Sequence, residues 1–237
     1  MANKTCDPIV VMKRYELKYL LNKKQTEYLV ESIKGHLIPD EYGSTTIASL
    51  YYDTPDYRLI RESLEKPVFK EKIRLRSYGA ATVESPVYLE LKRKSDGIVY
   101  KRRIQSTLPK VDDFFLKHMN ICGEGQINRE INCFRDFYKE LIPACQIMVE
   151  RTAYFEMNGD LRLTIDRNPR YRTNNMDLTN VTDGNALLPE GWTILEVKVQ
   201  GAMPMWLAEI LSKGKIYKTS FSKYGEAYKQ QLLKRAC

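Results

Sequence analysis

Lys70-Glu71-Lys72-Ile73-Arg74-Leu75-Arg76 places a cation at every second position. Read with the two-residue period of a β-strand, Lys70, Lys72, Arg74 and Arg76 share one face, with Ile73 and Leu75 on the other. The pattern returns along the chain. In 15–21 Glu16 and Lys18 alternate with Leu17 and Tyr19, and in 86–94 Glu90 and Lys92 oppose Leu89 and Leu91. In 98–104 Lys101 and Arg103 share a face. Arg151 lies in 145–157, and in 161–168 Arg162, Thr164 and Asp166 alternate with Leu161, Leu163 and Ile165. In 192–200 Glu196 and Lys198 alternate with Leu195, Val197 and Val199.

A sheet with one wet face alternates in this way too, and for any single strand that reading suffices. Composition over many strands argues otherwise. A solvated face mixes Thr, Ser, Asn, Gln and both charge signs, whereas here Arg or Lys recurs at strand centres. Like charges opposed on neighbouring strands destabilise a sheet, a cost that is tolerable where a polyanion sits among them. Arginine suits that partner, because its guanidinium grips phosphate oxygens bidentately and keeps its charge at any working pH. If the apolar faces lie beneath helices, the charged faces point inward. The expected fold class is therefore α+β, a closed antiparallel β-barrel tunnel of about eight strands with helices on its outside.

The elements that must carry this pattern can be read locally. The segment 15–21 reads as a strand and 22–37 as a helix, with Asn22 as cap and Leu29, Ile33 and Leu37 at helical spacing. Strands are expected at 45–54, 70–79, 86–94, 98–107, 145–157, 161–168 and 192–200. Asp96-Gly97 and Asn158-Gly159 mark hairpins. A short helix falls at 57–65, and 110–141 is mostly helical, with a break at Cys122-Gly123-Glu124-Gly125 and Phe114, Phe115, Phe134, Phe137 and Leu141 as core candidates. Two helices follow the last strand. With no linker or repeat in sight, residues 1–237 are expected to form one domain.

The 237 residues are 43% hydrophobic, enough for a core, and 38 Lys+Arg against 30 Asp+Glu leave a net charge of +8. That excess calls for an anionic partner. Five cysteines without CxxC spacing and two histidines supply no zinc-ligand pattern. The cysteines read as reduced thiols of a cytoplasmic protein. The N-terminal apolar run is too short for a signal peptide or a spanning helix, and Cys237 does not make a prenylation box. Membrane attachment, if there is any, would come through a partner protein. Positions flanking the cations are mostly aliphatic rather than aromatic, so no nucleic acid is expected.

Taken in order, "RYELKYLL", "LYYDTPDYRLI", "KIRLRSYG", "VYLELKRKSDGIVYKRR", "ERTAYF", "LRLTIDRN", "ILEVKVQG" and "SFSKYGEAY" resemble the VTC domain, the polyphosphate polymerase branch of the triphosphate tunnel metalloenzymes. The resemblance runs from about residue 14 to 228. It implies an antiparallel tunnel and Mn²⁺- or Mg²⁺-dependent transfer of the ATP γ-phosphate onto polyphosphate. Carried over motif by motif, it implies Arg74, Arg76, Lys92, Arg151 and Arg162 as catalytic residues. Lys18, Lys101, Ser222 and Lys223 would bind phosphate, and Glu196 would bind metal. Two departures stand out: Arg14 replaces the first glutamate of the wider superfamily's ExExK, which suits the polymerase branch, and Ser220 stands where a further lysine can occur.

Glu16 and Glu90 could join Glu196 on the metal, or pair with Lys18 and Lys92. Lys198 is expected to pair with a carboxylate, Asp166 to orient an arginine, and Asp53 and Thr54 to form a turn. Tyr51 and Tyr52 are either structural or stack on adenine. The rival functions are a triphosphatase of the same tunnel, with water as acceptor, and a non-enzymatic polyphosphate-binding protein.

Overall fold

The computed structural model describes residues 15–96, 98–121, 123 and 125–232. Arg14 and Gly97 lie outside the described residues. The chain order is β1 (Tyr15–Leu21), α1 (Lys23–Ile33), β2 (Ile38–Asp53), α2 (Arg58–Leu64), β3 (Phe69–Tyr78), β4 (Val87–Ser95) and β5 (Ile98–Ser106). Then come α3 (Leu108–Leu116), α4 (Gln126–Tyr138), β6 (Ile142–Phe155), β7 (Arg162–Arg172), β8 (Asn185–Ala186) and β9 (Thr193–Val199). The last elements are α5 (Met205–Lys213), β10 (Lys218–Thr219), α6 (Lys223–Ala227) and a π-helical turn, Tyr228–Leu232.

Local chemistry accounts for the boundaries. Asn22 caps α1 with a reciprocal box: its Oδ1 accepts from the Gln25 amide at 2.9 Å, and Gln25 Oε1 accepts from the Asn22 amide at 3.1 Å. β2 is longer than the sequence suggests because it continues through a bulge between Pro39 and Ser44, where Gly43 adopts φ +56°. β8 and β10 are two-residue strands, too short to leave a period in the sequence.

All pairings are antiparallel, in the order β10-β1-β9-β7-β6-β2-β3-β4-β5, with β8 on β7. The expected α+β architecture with an antiparallel sheet is present, and backbone closure of that sheet into a barrel is not formed among the described residues. The sheet has ten strands, and among the described residues no backbone pairing joins β5 to β10. It curls far enough that β4 reaches β1 through a side-chain bridge, Lys92 Nζ to Glu16 Oε2 at 2.6 Å. Enclosure rests on curvature and an ion pair rather than on a complete ladder.

Outside the curl, Leu50, Tyr52, Ile73, Leu75, Leu89 and Leu91 pack against Val111, Phe114 and Phe115 of α3 and Ile131 and Phe134 of α4. Leu163, Ile165, Leu195 and Val197 pack against Leu29 and Ile33 of α1 and Leu207 and Leu211 of α5. Burying such a side chain stabilises by about 1.5–3 kcal/mol, so these two layers commit the aliphatic face of each strand to the outside. Phe137 is a correction: it is 65% exposed, lying on the solvent side of α4 near Arg58. No helix among the described residues is long and apolar enough to cross a membrane.

A third cluster lies on the inner face. Ile47 of β2 and Ile147 and Val149 of β6, in the same alternation as Arg151, pack with Tyr224, Ala227 and Tyr228. The C-terminal segment thus fills the interior from one end. Asp53 anchors it: buried, it accepts from the amides of Thr54, Leu59 and Ile60 and from Tyr224 Oη at 2.8 Å. Asp53 and Thr54 therefore do shape the start of α2, as expected of turn formers, and Asp53 also ties α2 to α6. Tyr224→Phe should lower unfolding stability by about 2 kcal/mol, since it removes a hydrogen bond to a buried acid; denaturant titration at pH 7 checks this, and an unchanged midpoint would contradict the anchoring role.

Candidate functional site

The strand period puts the residues of the opening pattern on one face of the sheet, and the antiparallel register decides which of them meet. Arg74 of β3 stands opposite Glu90 of β4, and Glu90 opposite Arg103 of β5. Arg151 of β6 stands opposite Asp166 of β7, while Glu196 of β9 lies between Thr164 of β7 and Lys18 of β1. Glu16 and Arg162 flank Lys198 from either side.

Two buried carboxylates organise the cations. Glu90 is 1% exposed. It accepts from Arg74 Nε at 2.9 Å and Arg103 Nε at 2.7 Å, pairs with Lys101 Nζ at 2.8 Å, and has Arg76 at 3.7 Å. Burial opposes its ionisation, but Arg74, Arg76, Lys101 and Arg103 together hold its pKa far below the usual carboxylate range. Asp166 takes a bidentate grip from Arg151, at 2.6 and 2.8 Å, and Lys223 Nζ at 2.6 Å. There too burial works against the charge, and Lys223 and Arg151 overcome it. Asp166 thus does orient an arginine.

A cavity of about 770 Å³ opens on this face. Of the sequence-derived residues, Arg76, Arg151, Arg162, Lys101 and Glu16 line it. Arg162 sits at the rim, its side chain 52% exposed and 3.4 Å from Asp40. Arg74, Lys18, Lys92, Glu90, Glu196, Ser222 and Lys223 do not line it, and each has a partner within the protein. Arg74 Nη1 donates to Tyr51 Oη at 2.9 Å, so Tyr51 is a structural partner of an arginine. Lys18 Nζ donates to the Phe221 carbonyl at 2.9 Å. Ser222 caps α6 and accepts from Lys72 Nζ at 3.3 Å. These last contacts tie the C-terminal plug to β1 and β3.

Sequence reasoning passed over Lys72, Arg103 and Lys198 as site residues, although the same period carries all three inward. Lys198 does pair with a carboxylate, Glu196 at 3.3 Å, and it lines the cavity as well. Two buried polar atoms of the cavity wall, Arg76 Nε and Thr164 Oγ1, have no hydrogen-bond partner within the protein among the described residues. Unsatisfied buried polar groups are costly, and Arg76, whose ion pair with Glu90 spans 3.7 Å, is only weakly compensated.

Among the described residues no group of three or more His, Cys, Asp or Glu side chains is arranged to hold a metal. Glu16 and Glu196 are near enough that Glu196 opposes the ionisation of Glu16. Burial raises the pKa of Glu16, and Lys92 together with Lys198 brings it below the ordinary carboxylate value. Glu196 is likewise penalised by burial yet held well below the usual range by Lys198, Lys18, Lys223 and Arg151. Both are carboxylates at neutral pH. Two carboxylates fit a hard divalent ion that takes its remaining ligands from water and phosphate oxygens. Glu90 stands apart from them, its oxygens occupied by cations.

The crowding of like charge reaches the lysines. Burial, then Lys18, Lys70 and Lys92, pushes Lys72 down to about 7. Burial, followed by the repulsion of Lys223 and Lys92, takes Lys18 to about 8 against the opposing pull of Glu196. Lys101, still two-fifths exposed, is lowered by burial and by Arg74, Arg76 and Arg103, against Glu90. Lys72 is thus partly neutral at pH 7–8 before any anion arrives.

This is an α+β protein whose antiparallel sheet wraps a cation-lined interior. The VTC domain profile matches residues 13–232, and the chain belongs to the VTC domain family. A candidate adenylate cyclase from Bacillus halodurans superposes with a TM-score of 0.54 at 14% identity, over 89% of this chain and 96% of that one. That likeness shows a shared fold. A candidate adenylyl cyclase from Hippeastrum, described as having a dominant triphosphatase activity, gives 0.49 at 15% identity over 90% and 93% of the two chains, too low to carry an argument. No curated protein gives a significant match.

Two tests follow from the charge arrangement. An anion raises the pKa of a lysine that its neighbours had lowered, so binding tripolyphosphate at pH 8 should take up protons, and Lys72→Met should reduce that uptake. Calorimetry in buffers of different ionisation enthalpy reads it, and equal uptake in both proteins would reject the charge state inferred for Lys72. Glu90→Gln leaves Arg74, Arg76 and Arg103 facing one another and should cost about 3–5 kcal/mol of stability. Tripolyphosphate should restore much of the lost thermal stability; a variant as stable as the parent without anion would contradict the bracing role.

Proposed function

We propose that this protein is a metal-dependent polyphosphate polymerase that transfers the γ-phosphoryl group of ATP onto the end of a polyphosphate chain. The observation that carries the reading is the convergence of Arg76, Arg151, Arg162, Lys101 and Lys198 from separate strands on one cavity, in a chain of the VTC domain family. Phosphoryl transfer asks the protein for positioning and charge neutralisation rather than covalent chemistry. A terminal phosphate oxygen of the acceptor attacks Pγ in line. The bond from Pγ to the β,γ-bridging oxygen breaks, ADP leaves with that electron pair, and the chain is one phosphate longer. No protein nucleophile takes part.

The chain's own residues divide the work by position. Arg76, Arg151, Arg162 and Lys101 grip phosphate oxygens at the cavity wall. Lys18, Arg74, Lys92 and Lys223, with Ser222, lie off the cavity lining and exchange present partners for phosphate as the acceptor advances. Glu90 and Asp166 hold the arginines in place, so little reorganisation is needed when charge develops. Glu196 and Glu16 would hold Mn²⁺ or Mg²⁺, which supplies charge neutralisation at the phosphate oxygens when bound. A location beside the cytoplasmic ATP pool fits this chemistry, with any membrane attachment made through a partner protein.

Incubation with ATP and Mn²⁺, resolved on a gel for long polymer and assayed for orthophosphate, is the direct test. Long polymer is expected. Arg76→Ala should lower kcat/KM by about a hundredfold or more, and Glu196→Gln should abolish metal-dependent turnover while the protein stays folded. Chelation should stop the reaction. Quantitative orthophosphate without polymer would assign the cavity to a triphosphatase, with water as acceptor. Tight tripolyphosphate binding without turnover would make it a binding protein.

A further inference from the structure

We propose that Tyr78 and Tyr88 form a nucleobase shelf at the open mouth of the cavity, so that a nucleoside triphosphate binds base outermost with its phosphates directed inward at Arg76. The inference rests on the phosphate-binding reading of the cavity and adds which end of the nucleotide faces out.

Tyr78 follows Arg76 by two residues on the same face of β3, and Tyr88 is the direct cross-strand partner of Arg76 on β4. Both tyrosines line the 770 Å³ cavity. Single exposed tyrosines are ordinary, but these two are held. Their rings meet edge to face at 5.6 Å, and the Arg103 guanidinium lies over Tyr88 at 4.7 Å. The same guanidinium donates to Tyr78 Oη at 3.1 Å while bound to Glu90, which braces the shelf on the buried carboxylate that positions Arg74. Tyr78 remains 47% exposed, leaving ring surface uncovered toward the mouth.

The spacing suits a nucleotide. Two residues along a strand span about 7 Å, comparable with the reach across a ribose from base to phosphate. Along β3 the face holds Lys72 and Arg74 on one side of Arg76 and Tyr78 on the other. An anionic chain with an aromatic terminus is matched end for end by that gradient. Stacking on an aromatic side chain is sequence-tolerant, so the shelf selects a nucleobase as a class and adds to the affinity of the triphosphate.

The test compares a non-hydrolysable β,γ-imido ATP analogue with inorganic tripolyphosphate, both titrated calorimetrically with Mg²⁺ present. Tyr78→Ala should weaken the nucleotide analogue roughly tenfold and leave tripolyphosphate within twofold. Tyr78→Trp, which restores a stacking face, should keep the analogue within twofold of the parent. If Tyr78→Ala binds both ligands as the parent does, or loses both equally, the shelf is overturned and the phosphate reading stands. If the parent protein binds neither ligand, the phosphate reading falls and takes the shelf with it.

Discussion

Glu90 and Asp166 are the charges on which the interior depends. Without them, Arg74, Arg76, Lys101, Arg103, Arg151 and Lys223 would face one another across a space shielded from water. Two like charges at 4 Å repel by about 4 kcal/mol at the effective dielectric near a protein surface. Each carboxylate is surrounded by more cations than it can neutralise, so the fold is held together and still presents a net positive field. That surplus shows in lysines driven toward neutrality and in Arg76 and Thr164 atoms that no group among the described residues satisfies. A polyanion removes both penalties at once.

Among the described residues, enclosure is achieved without a closed ladder. The two helical layers bury the aliphatic face of the sheet outward, and the sheet bends until Lys92 meets Glu16. The C-terminal segment then enters the interior, with Tyr224 stacked on Tyr51 at 4.9 Å and hydrogen-bonded to Asp53. The cavity has a mouth edged by polar and aromatic groups, and α6 packs against the inner face beyond its lining. On the polymerase reading, a growing chain leaves past the mouth or takes the place of that segment. The lysines that tether the segment, Lys18 and Lys72, belong to the same charge field as the phosphate path.

Much of this was legible beforehand. The period of two assigned Lys18, Arg74, Arg76, Glu90, Lys92, Arg151 and Glu196 to a common face, and most of the segments bearing the VTC resemblance lie in strands, the rest in α2 and α6. Less visible were β8 and β10, too short for any period, and the continuation of β2 through its bulge. Phe137 was a core candidate of a helical segment, yet α4 turns it to solvent, because an apolar side chain marks a candidate and packing decides whether it is covered. Tyr78 and Tyr88 were overlooked since nothing local distinguishes a tyrosine at a cavity mouth from one on a wet sheet.

By itself the sequence determined which side chains share a face, where α1 is capped, and that an excess of cations would be gathered among aliphatic strands. Those are consequences of backbone period and side-chain chemistry, which act over a few residues. Only the tertiary structure decided that Glu90 serves four cations while Glu16 and Glu196 stay near one another, that Arg162 lies at the rim, and that α6 occupies one end. These depend on strand register and sheet curvature, which arise from contacts between segments far apart in the chain, and no local pattern encodes the direction in which a sheet bends.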